Sequence, residues 1–521
     1  MLNLIIDSLP TNNGEVSEGF AEYYDFAGNY FKISCSIEPQ GQTSRIFALT
    51  RGKGNYTLDI PKDIKFGSWV PQDSFHLKGC AKDVTRGILA TSYKFAYSIQ
   101  EYLHARPNRV LMNEDGITST QATGNRITDW PTDARCLPDG FPCELYVNGE
   151  YWGLYSWQLK KHRKNYSMDK KDYKSCFIDA DDMGMTQPDG GFFNGYINWH
   201  NFEIKGPKDL ICMDGSAYDG DNPQELIDET AVGIYDPSNK KHKGSKQTKD
   251  IIKSFSTKYL EVKALVDANT QESLAEAKEL FAEYFDVEAC IFVYVFNCTM
   301  RNADSINKNT LWGTYSDGKI VPMLWDLDGM YGQEWVGAYA HEPSATLWEG
   351  YATRPWPMAL LWKLYESEIK ATYIKLRQNN ILSVETWKNI IFGWSNRVGE
   401  EAYKRDIERW SETPSYRENY TNTEYWEEMG FDNPNFAYHP LWDENTEYHA
   451  GGTTIAVSSH PSMPNYCMMY RPIKDSIGVC PVTKFYEGFP QVGGFYDSPK
   501  RMEKWMVEQL NLCDTLIGYS E

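Results

Sequence analysis

Two short runs carry the side chains best suited to chemistry. The first is Arg301-Asn302-Ala303-Asp304-Ser305-Ile306-Asn307-Lys308-Asn309; the second, beyond a short apolar hairpin, is Trp325-Asp326-Leu327-Asp328-Gly329. A carboxylate such as Asp304 can orient or deprotonate a hydroxyl, while Asn309 and Asp326 offer the hard oxygen donors that Mg2+ prefers. Phosphoryl transfer asks for little covalent chemistry beyond this, since positioning and charge stabilisation do most of the work. The spacing Asp304-x-x-x-x-Asn309, followed by an aspartate that ends an apolar strand, is the spacing of a catalytic loop and a metal loop. The same residue types also cap loops and form turns, so that reading stands beside the chemical one. An isolated Asp-x-x-x-x-Asn is common, and only the hairpin and the Trp-Asp-Leu-Asp make it specific.

Other chemistries find weaker support. No His-Glu-x-x-His occurs, and His439, His449 and His460 are widely spaced in a loop-rich stretch, where surface or packed histidines are the simpler reading. No Gly-x-Ser-x-Gly elbow appears, which argues against an α/β-hydrolase. Asp214-Gly215 and Asp219-Gly220-Asp221 lack the distal glutamate of a calcium loop and read as a solvated loop. The basic run Lys240-Lys241-His242-Lys243, continuing to Lys246 and Lys249, reads the same way.

The elements that must position Asp304, Asn309 and Asp326 are partly visible. From about 30 to 160 the chain is β-rich: Phe31–Ile37, Tyr56–Ile60 and Ser74–Lys78 alternate apolar with polar residues. A helix is expected over about 87–104. Glu144–Val147 and Glu150–Tyr155 flank Asn148-Gly149, the strongest short hairpin signal. Residues 180–250 look loop-like. Leu274, Ala277, Phe281 and Tyr284 then share a helical face, and Asp286 is a plausible cap for Cys290–Phe296, a run that periodicity alone leaves as strand or helix. Strands are expected near 311–315 and 320–325, helices over 356–411, an irregular aromatic stretch over 412–496 and a last amphipathic helix from about Ser498 to Ile517.

The 521 residues carry 52 basic and 72 acidic side chains, a net charge of −20, so phosphate backbones are repelled and nucleic acid is not an expected partner. Aromatic residues make up 14%, which fills cores, lines clefts or coats interfaces. Eleven scattered cysteines without zinc spacing read as reduced thiols. The N-terminal apolar run is too short for a signal peptide, and no segment is long and apolar enough to span a membrane, so a cytoplasmic protein, or one built into a particle, is expected.

The chain resembles the spore-coat-protein-H (CotH) kinase family. The resemblance is carried by Asp286-Val287-Glu288, Asn302-Ala303-Asp304-Ser305, Lys308-Asn309-Thr310-Leu311-Trp312, Gly318-Lys319-Ile320 and Leu324-Trp325-Asp326-Leu327-Asp328. Upstream, Val147-Asn148-Gly149-Glu150-Tyr151-Trp152-Gly153-Leu154-Tyr155 is similar to the family's hairpin. Fainter echoes are Gln40–Ser44, Phe75–Lys78 with Asp83 and Arg86, and Phe202–Pro207, so the likeness covers roughly residues 30–410 and 498–517. It implies an α+β, atypical protein-kinase-like bilobal fold that uses ATP with Mg2+ (or Mn2+) to phosphorylate serine in spore-coat partners. The expected division is an N-terminal extension over 1–30, a β-rich N-lobe-like region over 31–210, a helical C-lobe-like region over 211–411, an irregular insertion over 412–497 and a C-terminal helix over 498–521 packed on the core. The resemblance also settles 290–296 as helix.

Carried over residue by residue, the resemblance makes Asp304 the catalytic base and Asn309 and Asp326 metal ligands. Asp328 becomes a reserve ligand on the same side of an extended segment. Lys78 lies on an expected strand, where a kinase keeps its ATP lysine; Lys205, Lys53 and Arg45 are rivals, and each lysine also reads as a solvated one. One departure stands out. Leu159 occupies a place where relatives carry a glutamate, and if that glutamate orients a phosphate-binding lysine, catalysis is weakened. Two functions follow: an active kinase of protein hydroxyls, or a kinase-derived structural protein of a spore coat, virion or other assembly.

Overall fold

Alternation of apolar and polar residues along seven N-terminal strands closes a barrel. The computed structural model describes residues 1–12, 14–25, 30–41, 53–80, 86–107, 134–180, 199, 202–302, 305, 309–331, 343–350, 356–410 and 494–520. The barrel strands are β1 (Leu2–Ile6), β2 (Ser17–Tyr24), β3 (Tyr30–Gln40), β4 (Asn55–Ile64), β5 (Gln72–Lys78), β6 (Gly140–Val147) and β7 (Glu150–Leu159). Their order is β1-β2-β3-β4-β5-β7-β6, and the parallel pairing of β1 with β6 closes the ring. Leu4, Ile37, Leu58, Phe75, Leu77, Trp157 and Leu159 fill the interior. The β6–β7 turn places Asn148 and Gly149 at φ 51° and 83°, the left-handed pair that the Asn-Gly signal requires.

A second, antiparallel sheet has the order β11-β10-β8-β9, from β8 (Cys176–Ala180), β9 (Phe202–Gly206), β10 (Thr310–Thr314) and β11 (Ile320–Leu324). Gly313 is needed where β10 meets β8, because a Cβ there would sit 2.8 Å from the Cys176 carbonyl oxygen. The helices are α1 (Ile88–Tyr102), α2 (Lys240–Ala268), α3 (Gln271–Tyr284), α4 (Val287–Met300), α5 (Thr346–Gly350), α6 (Pro357–Gln378), α7 (Val384–Val398), α8 (Glu400–Trp410) and α9 (Gly494–Ile517). Helix α4 is buried on every side from Ala289 to Met300, which explains its uninterrupted apolar sequence. Its cap is Asp286, whose carboxylate accepts the Ala289 N–H at 2.9 Å. Trp312, Trp348, Trp356, Trp387 and Trp505 are fully buried, so much of the aromatic content is core. Among the described residues no helix is long and apolar enough to cross a membrane.

The class is mixed α+β, β-rich at the N-terminus and helical after it, but several expectations need correction. The β-rich part is a closed barrel, a feature the kinase-like bilobal expectation does not contain. Residues 1–30 are no appendage, since β1 and β2 are barrel staves. The boundary at 210/211 separates β8 and β9 from β10, although all three share one sheet. The loop expected over 180–250 contains β9, and from Lys240 it is helix. Asn239 caps α2, and Thr248, Ile251, Ile252, Phe255, Tyr259, Val262 and Val266 form its buried face. Lys249, read as solvated, is buried and pairs with Asp228 at 3.2 Å. The last helix begins at Gly494, and from Met502 it packs on the helical core. Most of the irregular insertion lies outside the described residues.

Candidate functional site

Strand β5 is buried on both faces yet apolar on only one. Phe75 and Leu77 point into the barrel, whereas Ser74, His76 and Lys78 alternate with them and are also buried. The neighbouring β7 repeats the pattern, with Tyr155, Trp157 and Leu159 inside and Ser156 and Gln158 on the other face, and Lys160 follows just past its end. A strand that buries polar side chains outside its own core is covering a polar interior surface. Helix α1 lies over part of that surface: Ala90 packs where Gly140, Ser156 and Gln158 meet.

Trp325 is the hub on the opposite side. Its ring lies 6.3 Å from the His76 ring, 6.5 Å from the Tyr93 ring and 5.1 Å from the Lys161 ammonium. Burial drives His76 well below the ordinary histidine value, and the charges of Lys78, Lys160, Lys161 and Lys205 push the same way. The imidazole is therefore neutral, and its Nδ1 has no hydrogen-bond partner among the described residues. Lys161 pairs with Asp179 and Lys205 with Glu203. Lys78 donates to Gln40 Oε1 at 2.6 Å and Lys160 to Ser74 Oγ at 2.7 Å, both neutral acceptors. In a chain of net charge −20, four ammonium groups near one imidazole make a local focus for an anion.

The β10–β11 hairpin brings Asn309 and Asp326 to the side of this hub. Thr310 pairs with Leu324, so Asn309 and Trp325-Asp326 stand together at the open end of the hairpin. Asn309 is buried and Asp326 half-buried, and both are left-handed, at φ 60° and 50°. The Asp326 N–H donates to the Tyr93 hydroxyl of α1 at 3.0 Å. Burial raises that hydroxyl well above the ordinary tyrosine value, and the charges of Asp326 and Asp328 add to the rise. The argument that they align as alternate residues of an extended strand fails, because the backbone turns at Asp326 and continues as a turn. What sets Asp326 is its turn against Tyr93. A pair of carboxylates with a carboxamide oxygen at one hairpin end is a donor set suited to Mg2+, which takes one or two carboxylates and completes its shell with phosphate and water. Among the described residues no three His, Cys, Asp or Glu side chains group closely enough to hold a metal by themselves.

The expected residues therefore divide. Asn309, Asp326 and Asp328 stand at or just past the open end of the β10–β11 hairpin, while Lys78 and Lys205 act by charge on His76, whose ring adjoins Trp325. Asp304 and Arg45 lie outside the described residues; the neighbour Ser305 is tied to the hairpin by its carbonyl, which accepts from the Thr310 hydroxyl at 3.1 Å. Lys53 is elsewhere: its ammonium is buried against Asp406 of α8 at 2.5 Å, beside Arg86, whose Nε reaches the same carboxylate at 2.9 Å. Sequence reasoning missed Lys160, Lys161, His76 and Tyr93. The alternation Ser156-x-Gln158-x-Lys160 on a strand whose other face is aromatic was the available signal.

Leu159 also changes meaning. It is buried in the barrel, opposite Phe75 and away from the polar face. A glutamate at this position would sit in apolar surroundings rather than against Lys78 or Lys161, so Leu159 deprives the lysine cluster of nothing.

No curated protein is similar enough to the chain to count as a match. The family model described as CotH kinase protein matches residues 137–430. The match includes the β6–β7 hairpin, Lys160, Lys161, the β10–β11 hairpin and its acids, and it runs into the stretch expected to be an insertion. The fainter echoes at 40–44 and 75–78 and the C-terminal helix fall outside it. It spans more than half of the 521 residues, and the chain accordingly belongs to the CotH kinase protein family.

Proposed function

We propose that the protein transfers the γ-phosphoryl group of ATP to a hydroxyl of a protein acceptor, serine or threonine in the first instance. The reading rests on one observation: the hairpin end that carries Asn309 and Asp326 leads into Trp325, whose ring adjoins His76 and the Lys161 ammonium. Lys78, Lys160, Lys161 and Lys205 would receive the phosphate oxygens, with charge-assisted hydrogen bonds that are stronger than neutral ones. Asn309 and Asp326, with Asp328 beside them, would hold Mg2+ or Mn2+, which when bound supplies charge neutralisation between phosphates. Asp304 would orient the acceptor hydroxyl and take its proton as the oxygen attacks the γ-phosphorus. The bond to the β–γ bridging oxygen breaks and ADP leaves. Family membership supports a kinase-like function, and the acceptor class follows from the resemblance.

The test is transfer of labelled γ-phosphate from ATP to the full-length protein itself or to an added acceptor protein, with Mg2+ or Mn2+ present. Wild type should show transfer that Asp304→Ala reduces by about 100-fold or more, the scale of a lost general base. Equal, background-level transfer by both proteins would end this reading.

A further inference from the structure

Tyr93 does more than fill space behind the metal loop. Its ring is buried in α1, and its hydroxyl accepts the main-chain N–H of Asp326 at 3.0 Å. Asp326 stands at φ 50°, a left-handed conformation uncommon outside glycine that aspartate takes more readily than most residues. The hydrogen bond thus fixes the backbone at the point where the chain leaves β11 and turns. A main-chain donor held in this way sets the direction in which the Asp326 carboxylate leaves the backbone. Tyr93 itself is placed independently of the loop, since α1 is anchored by Lys94 to Asp139 and packed on β6 and β7.

We propose that Tyr93 is a positioning residue for Asp326: its hydroxyl holds the aspartate in its left-handed turn so that the carboxylate is preset for a divalent cation. The metal-binding half of this inference rests on the kinase reading; the backbone half does not. Partners one step behind a metal ligand, when removed, commonly lower metal affinity about 10–100-fold.

The experiment uses the full chain as wild type, Tyr93→Phe and Asp326→Ala, with two readouts. Hydrogen exchange of the peptide covering 325–331 reports the turn without any metal or nucleotide. Binding of Mn2+, followed by loss of the free-ion paramagnetic resonance signal, reports the ligand set without turnover. Tyr93→Phe should speed exchange of that peptide at least about tenfold and weaken Mn2+ about 10–100-fold, while peptides of the barrel strands exchange as in wild type. Unchanged exchange and unchanged Mn2+ affinity in Tyr93→Phe would overturn the proposal, even where Asp326→Ala abolishes binding and the kinase reading stands. If wild type binds no Mn2+, the kinase reading and the preset-ligand proposal both fail, and the exchange result still decides whether Tyr93 holds the turn. Should Tyr93→Phe not fold, the wild-type protein suffices: an Asp326 amide that exchanges as fast as a free peptide amide would contradict the hydrogen bond on which everything depends.

Discussion

Around Asp406, one carboxylate meets two cations and a backbone amide; around His76, four ammonium groups meet an imidazole, and two of them pair with carboxylates. Both clusters adjoin β7 of the same barrel. In the first, Asp406 Oδ1 takes Lys53 and the Leu154 N–H at 2.5 and 2.7 Å, while Oδ2 takes Arg86 at 2.9 Å. Burial pulls this carboxyl up, but Lys53 and Arg86 outweigh it and hold the group below the usual carboxylate range. The second cluster has neutral acceptors for Lys78 and Lys160 and leaves His76 Nδ1 without a partner among the described residues. A buried polar group without a partner is costly, so a cluster whose partners are complete is built for stability. One that gathers like charges is, in the proposed reading, the place where a ligand brings the opposite charge.

Removing the anion from the complete cluster should have the largest effect. Asp406→Ala leaves Lys53 and Arg86 buried against each other and should cost about 3–5 kcal/mol of stability in urea titration. A loss under about 1 kcal/mol would mean that the cluster is no clamp, and the comparison would break.

A smaller, pH-dependent effect sharpens the same point. Burial, with Arg86 next, pushes Lys53 down to about 7 against the pull of Asp406. The unfolded lysine titrates near about 10.4, so between these limits the unfolded chain holds the extra proton and stability should rise with pH. From pH 7 to about 9 the wild type should gain roughly 1 kcal/mol per pH unit relative to Lys53→Met. Parallel urea midpoints for the two proteins across that range would contradict the assignment.

The smallest effect belongs to the lysine cluster, and its sign is the lesson. Lys78→Met removes a buried cation that donates to the neutral Gln40 and whose charge adds to those of Lys160, Lys161 and Lys205 on His76. Stability without ligand should stay within about 1 kcal/mol of wild type or exceed it. A destabilisation as large as that of Asp406→Ala would make both clusters structural.

Much of this was legible in the sequence where local rules decide. The Asn148-Gly149 turn, the Asp286 cap and the pairing that sets Asn309 beside Trp325 are each specified by a few adjacent residues. The fate of Lys53 was not, because its partner Asp406 is distant in sequence and nothing around Lys53 announces it. Strand β2 was missed because Phe20 and Tyr24 are exposed along with Glu18, blurring the alternation, and Gly19 is kept small by the Ile5 carbonyl. Helix α2 was missed because its first turns are basic and contain glycine, although Ile251, Phe255, Tyr259 and Val262 keep helical spacing. Lys160 and Lys161 were in view, but only a strand buried on both faces gives their position meaning.

The most direct measurement is calorimetric titration of the full chain with a non-hydrolysable ATP analogue in the presence of Mg2+, comparing wild type with the Lys78→Met, Lys160→Met double variant. Each lost charge-assisted contact should weaken binding about tenfold or more, so the variant should bind about 100-fold more weakly with its fold intact. Equal affinity in both proteins, or no binding by wild type, would contradict a phosphate site at His76.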